Sequence, residues 1–446
     1  MYCAKTRLIS TYEHCNAGIV LPKEIFQDQW SFREDFPKKK EDGFCFELNR
    51  TEEKNALLKT GYFIGVDHIG ETGQSIYVAP KFNDRPNPEA VGETDSLKEV
   101  DFLKMLFESL QNPELLEDIE ELFVIKWDKP EIHLEHQKDF LTPFLILQFL
   151  GQLKSIVRKG IKKSYYKVER NLNSRVKGKI LIGKTLKQNH FKSRELSNVC
   201  SYEEFGVNGI ENRFLKKILE FVKPYLESHS NLISEQNLLD IYNFINPAFS
   251  KVSSKIEIQE LQKVKTNAFY KEYTMAIDLG QKILKRFGHN ISQNSARVEF
   301  QSTPPFWIDM SKLFEVYVLG KLRKELDKKV EFQFDGKGGN ELDYVISYGK
   351  DVIIADAKYK PWYKYDWNEK MNDDLRQVSG YARLKEVRNK FKINDDVVPN
   401  CLIIYPDLDD GHKNFKAEYL SKKRFDHYKN IYKVGITIPL QERNNN

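Results

Sequence analysis

At 446 residues, with 40% hydrophobic and 13% aromatic content, the chain is long for one core and can fill two or three. Its net charge of +5 is too small to mark the whole chain as a nucleic-acid binder, and no window approaches the roughly 20 apolar residues of a membrane span. Its five cysteines are scattered, with no C-x-x-C pair, and Met1–Arg7 lacks an apolar signal-peptide core, which excludes a disulfide framework and a zinc ribbon and points to a reducing cytoplasm.

The expected fold class is α+β and multidomain, with a β-rich module over residues 1–95. Gly18–Leu21, Gly43–Leu48, Gly61–Val66 and Ser75–Pro80 are short strand-like runs punctuated by Gly, Asn and Pro, the pattern of a small barrel or sandwich. The module holds no catalytic constellation, so docking is its expected role. A polar connector over 84–94 leads into a mostly helical middle region, 96–300. Val100, Leu103, Leu106 and Phe107 share one helical face. The apolar run from Phe140 continues through Ile156, with Pro143 in its first turn. Glu211–Leu226, Leu238–Phe244 and Ala268–Phe287 are further helices.

Within this region lies a basic stripe. Between Lys154 and Arg194, fourteen Lys and Arg residues are countered only by Glu169, with Tyr165, Tyr166, His190 and Phe191 interleaved. Lys162, Lys163, Lys167, Arg175, Lys177 and Lys179 are the candidates for phosphate contact, because such a stripe can neutralise a nucleic-acid backbone and stack on bases. A solvated charged face is the competing reading.

The third region, 301–446, opens with a helix over Ser311–Lys328. Its stripe of Leu319, Leu322 and Leu326 also includes Glu315, an unusual place for a carboxylate. Val330–Phe334, a hairpin over Leu342–Lys360, a helix over Asp373–Phe391 and the strand Cys401–Tyr405 follow, giving the order αβββαβ. In the hairpin, a loop at Tyr348–Asp351 sets Ser347 opposite Val352 and therefore Asp343 opposite Asp356. Two carboxylates that close repel unless a cation lies between them. Lys358, two residues beyond Asp356, points to the same face. Oxygen ligands of this kind suit Mg²⁺, with Mn²⁺ as substitute.

Leu342-Asp343 and Asp356-Ala357-Lys358 resemble the two halves of the PD-(D/E)XK nuclease motif, with Leu in place of Pro. Gln377 and Tyr381, one helical turn apart, resemble the Q-x-x-x-Y feature that follows the catalytic lysine in many of these nucleases. A longer resemblance covers residues from about 160 to Tyr381. Tyr166-x-x-Glu169-x-Asn171-Leu172-x-x-Arg175-x-x-Gly178-Lys179-Ile180, then Cys200-x-Tyr202-x-Glu204, then Asn208-x-x-Glu211-Asn212-Arg213-x-Leu215-Lys216 are similar to the McrC family, nuclease subunits of modified-cytosine-dependent restriction systems. Asn208 stands where that family carries an acid.

The resemblance implies a Mg²⁺-dependent endonuclease. Asp343, Asp356 and the Ala357 carbonyl would hold the metal, Lys358 would act on the phosphate, and Glu315 and Gln377 would assist. Tyr381 would join the basic stripe in touching DNA. It further implies a separate McrB-like AAA+ GTPase partner, reached by the N-terminal part, and double-stranded DNA bearing modified cytosine as substrate. Nucleotide binding is expected of that partner, not of this chain. The alternative from another class is a DNA-binding, non-catalytic adaptor that activates the GTPase.

Overall fold

The structure is a computed structural model. It describes residues 8–15, 18–21, 31–37, 43–51, 55–83, 99–109, 122–135, 141–228, 235–256, 271–293, 300–349, 351–365, 369–394, 396–425 and 427–440. The chain divides into two compact units: Met1–Asp139 together with Glu299–Asn446, and Phe140–Val298. The first and last thirds of the sequence thus form one unit.

In that unit two sheets share a core. Strands β1 (Leu8–Tyr12), β6 (Phe63–His68), β7 (Ser75–Ala79), β8 (Phe123–Ile125) and β14 (Phe306–Asp309) form one sheet, in the order β1-β7-β6-β14-β8. Strands β2 (Ile19–Leu21), β3 (Phe32–Asp35), β4 (Phe44–Arg50) and β5 (Ala56–Thr60) form the other. Alternating side chains of both, among them Phe46, Leu48, Leu58, Phe63, Ile76 and Val78, meet around Trp307. The Trp307 indole donates to Asp67 at 2.8 Å, so its one polar atom is satisfied inside the core. Gly65 is required where β6 crosses β14, because a Cβ there would lie 2.0 Å from the Phe306 carbonyl oxygen. β9 (Ile132–Glu135) pairs separately with β13 (Phe300–Thr303).

β14 runs directly into α7 (Met310–Leu326), whose first turn is capped by the Asp309 carboxylate accepting from Lys312 N at 3.1 Å. The short helix α1 (Phe102–Ser109) is tied to it by an ion pair of Glu108 with Lys321 at 2.7 Å. After α7 come β15 (Val330–Asp335), β16 (Glu341–Tyr348), β17 (Asp351–Ala357), α8 (Asn372–Tyr381), α9 (Lys385–Phe391), β18 (Asn400–Pro406) and β19 (Ile431–Ile436). The sheet order is β15-β16-β17-β18-β19, antiparallel as far as β17 and parallel beyond it. α8 and α9 supply the crossover that a parallel pair requires. The single helix expected over 373–391 is therefore two. After Tyr381 the turn tightens to Arg383 N donating to Gly380 O and Leu384 N to Tyr381 O, and Leu384 turns extended to pack on the core. β19 completes the sheet beyond the six elements read from the sequence.

The second unit holds α2 (Leu141–Lys159), α4 (Ile210–Ser228), α5 (Glu235–Ile245) and α6 (Lys271–Gln293), close to the helices expected there. It also holds a three-stranded sheet, β10-β12-β11, from β10 (Ser164–Asn173), β11 (Lys179–Ile180) and β12 (Ser197–Gly206), with α3 (Ile182–Gln188). Of the basic-stripe candidates, Lys167 lies on β10 and Lys179 on β11, while Lys162, Lys163, Arg175 and Lys177 lie in the connections beside them. Among the described residues no helix is long and apolar enough to cross a membrane.

Candidate active site

The β16–β17 hairpin places the chemistry. Its ladder pairs Ser347 with Val352 and Tyr348 with Asp351, and Gly349 takes the positive φ that the tight turn demands. The ladder stops at Tyr344 opposite Ala355. One step further, where Asp343 and Asp356 come into register, the Asp343 carboxylate instead accepts from Ala357 N at 2.8 Å. On the other flank, β15 pairs Phe332 with Tyr344 and Phe334 with Leu342. It skips Gln333, a non-glycine residue at φ +51°. Asp343 is thus released from the ladder on both sides, a distortion of the kind sheets use to re-aim a side chain beside a site.

Asp343, Asp356 and Lys358 come together. Lys358 Nζ lies 2.7 Å from Asp356 Oδ2, donates to Gln377 Oε1 at 3.0 Å and stands 3.9 Å from Asp374. Burial pushes Asp343 well above the usual carboxylate range, and the charges of Asp356 and Glu315 add to the shift. Burial likewise raises Asp356, against the pull of Lys358. For Lys358, burial would lower the pKa, but Asp356, Asp343 and Asp374 outweigh it and hold the amine above its ordinary value.

Glu315 projects from α7 toward the same acids. Burial raises its pKa, and Lys312, 3.3 Å away, partly offsets the shift. α7 is fixed against the sheet by the Tyr344 hydroxyl, which donates to the Glu315 carbonyl at 2.6 Å. Tyr381 is buried rather than displayed, and its hydroxyl takes a 2.7 Å hydrogen bond from Gln377 Nε2. It orients Gln377, which orients Lys358.

Sequence reasoning missed Lys360 and Asp374. Lys360 Nζ grips both Asp374 oxygens, at 2.8 and 2.7 Å, and the Tyr363 hydroxyl donates to the same carboxylate at 2.7 Å. The signal was the alternation Asp356, Lys358, Lys360 on one face of an extended strand.

The donor set fits a hard cation. Asp356 Oδ2 is buried and, despite its ion pair, has no aligned hydrogen bond. Asp343 is an oxygen donor beside it. The Ala357 N–H points at Asp343, and in an extended strand the carbonyl of the same residue points to that side too. Among the described residues no group of three or more His, Cys, Asp or Glu side chains is arranged to hold a metal. Two carboxylates and a carbonyl leave the remaining positions to water, as Mg²⁺ prefers.

The basic-stripe candidates lie in the second unit. Lys163, Lys167, Arg175, Lys177 and Lys179 are exposed, whereas Lys162 is half-buried and ion-paired with Glu211 at 2.7 Å. Lys177 lies 4.1 Å over the Tyr202 ring and 3.5 Å from Glu204. Large apolar side chains stand out among these cations: Tyr165, Ile182, Phe191, Leu196 and Phe205 are all more than half exposed. Asn208, where an acid was expected, accepts from Ser253 N at 2.8 Å.

Two solved structures similar to the chain come from Thermococcus gammatolerans. One is a refined half-complex from a tetradecameric assembly of McrB AAA+ hexamers with bound McrC, at 15% identity and TM-score 0.37, covering 96% of this chain and 94% of that one. The other is a cryo-EM structure of the McrBC complex, at 14% identity and TM-score 0.27, covering 71% of this chain and 87% of that one. No curated protein matches the chain. The family described as McrBC 5-methylcytosine restriction system component matches residues 58–406, most of the sequence, and the chain belongs to that family.

Proposed function

We propose that the chain is the Mg²⁺-dependent endonuclease subunit of an McrBC-type restriction complex, and that α7 with β15–β18 is a PD-(D/E)XK core. The observation that carries this reading is the convergence of Asp343, Asp356 and Lys358 at the frayed end of one hairpin, with Glu315 facing them. Asp343, Asp356 and the Ala357 carbonyl would hold the cation. When bound, such an ion supplies Lewis acidity toward a phosphate oxygen and a water molecule. Lys358, held cationic by its carboxylate neighbours, donates to the negative charge that builds on the phosphate during attack. Gln377 and Tyr381 fix where that amine points.

Family membership supports a McrB-like AAA+ GTPase as partner and modified-cytosine DNA as substrate. β6 of one N-terminal sheet pairs with β14, the strand that leads into α7, so removing the N-terminal sheets would dismantle the catalytic unit as well as any docking surface. A non-catalytic adaptor is the second reading. The exposed apolar side chains around β10 and β12 favour it, since such patches mark protein contacts. An adaptor, however, has no need of the buried Asp343–Asp356–Lys358 set. Incubated with the GTPase, GTP and Mg²⁺, the chain should cut supercoiled DNA carrying 5-methylcytosine and leave it intact in EDTA. DNA left uncut in Mg²⁺ supports the adaptor.

The exposed basic residues make a separate expectation. Changing Lys163, Lys167 and Arg175 together to Glu should weaken DNA binding on every sequence. The slope of log affinity against log salt should flatten by roughly 0.9 for each phosphate no longer neutralised. Lys162 is left out because it serves Glu211. Unchanged affinity and slope, measured by anisotropy over a salt series, would assign the stripe to solvent or to protein.

A further inference from the structure

The end of β17 is gripped from behind by Glu13, Lys81 and Phe82, residues 277 to 346 positions before Tyr359 in the sequence. Tyr359 follows Lys358 and points to the opposite face. Its ring is buried, 4.8 Å from Phe82 and 5.7 Å from Phe314 between centroids, with Lys81 Nζ 4.3 Å over its face. Lys81 Nζ also lies 5.6 Å over the Tyr62 ring and 3.9 Å from Glu13 Oε2, and Lys81 N donates to Glu13 Oε1 at 3.1 Å. Glu13 follows the end of β1, and Lys81 comes two residues after β7. The two are therefore brought together by the parallel pairing of β1 with β7.

Burying this pair is expensive. The Glu13 side chain is fully enclosed, and burial pushes its carboxyl up to about 7 against the pull of Lys81. Glu13 Oε2 and the Tyr359 hydroxyl face each other in the interior without an aligned hydrogen bond. A well-packed apolar pair of similar volume is often at least as stable as a buried ion pair, so stability does not explain this one.

We propose that Glu13, Lys81 and Tyr359 are positioning residues for cleavage: they lock Tyr359 on one face so that Lys358 and Lys360 are held on the other. The cluster does not touch the scissile group. It sets the direction of the amine that Asp356, Gln377 and Asp374 receive on the far side of the strand. The N-terminal sheets are then a working part of the catalytic centre. This inference rests on the nuclease reading above and deepens it.

The test is single-turnover cleavage by the full chain with its GTPase, with DNA affinity and thermal unfolding measured on the same preparations. The double variant Glu13→Gln/Lys81→Met removes both buried charges together. It should unfold no earlier than the wild type, bind DNA equally well, and cleave at least tenfold more slowly. Tyr359→Leu leaves both charges in place and removes the ring and hydroxyl. It should show the same split between rate and affinity, and it gives the answer alone if the double variant does not fold. Wild-type cleavage by either folded variant overturns the proposal, as does a loss of rate matched by loss of affinity, which would make the cluster a DNA contact. If the wild type itself does not cut, the nuclease reading has failed, and that outcome is distinct from these.

Discussion

Lys358→Ala should lower single-turnover cleavage by about 10²–10³-fold, the scale of losing one donor aimed at a developing charge, while the GTPase is stimulated as before. The amine is the cation nearest the two acids, and Asp356, Gln377 and Asp374 hold it in place. Alanine also leaves Asp356 buried without its counter-charge, so the variant should melt earlier, and the comparison belongs below that temperature. Partner activation should survive because it needs a docking surface, and the exposed apolar side chains around β10 and β12 lie in the other compact unit. The paired readout is DNA cut and GTP turned over at matched concentration. If folded Lys358→Ala loses stimulation too, cutting and activation are one function and the division is wrong.

The second large effect is on stability. Asp343, Asp356 and Glu315 all have pKa values raised in the fold, mainly by burial. A carboxyl raised on folding stabilises the protein fully below its unfolded value, near 4, and that contribution is lost as pH rises through the folded value. The metal-free protein should therefore lose melting temperature as pH rises from the unfolded carboxylate value through the raised folded values. Mg²⁺ should return about 2.7 kcal/mol at a hundredfold excess over its Kd, and only at pH values where the acids are ionised. Asp343→Asn should raise the metal-free melting temperature on the alkaline side of the transition and abolish the Mg²⁺ response. Calorimetry across pH with and without Mg²⁺ checks all three. A melting temperature indifferent to both pH and Mg²⁺ would mean that the acids do not form a common cation site.

The hairpin was legible because its signals are local. Val352–Ile354 form an apolar run, Gly349 marks the turn, and the period of two then fixes which face each acid occupies. The hydrophobic stripe of α7 was equally plain, and Glu315 was visible as its one misplaced carboxylate. What stayed hidden depends on pairing across long distances. Nothing local says that Trp307 fills the core of the first 80 residues, or that Lys81 sits on the face of Tyr359. The strands beneath the basic stripe were hidden for another reason. From Ser164 to Glu169 exposure alternates strictly, with Tyr165, Lys167 and Glu169 outward and Tyr166 and Val168 inward, which is strand periodicity. In so densely charged a run that period is masked. The break between α8 and α9 has its own cause in Leu384, which leaves the helix to pack on the core and on Gly336.

Under the proposed function, DNA cleavage should depend on Asp343 and Asp356 together. The most direct test is single-turnover cleavage of 5-methylcytosine plasmid in saturating Mg²⁺ by complexes carrying either the wild-type chain or Asp343→Asn/Asp356→Asn. Both substitutions keep size and remove charge. The wild type should give nicked and linear product and the double variant none, with DNA binding and GTP turnover equal in the two. Cleavage by the double variant at the wild-type rate would contradict it.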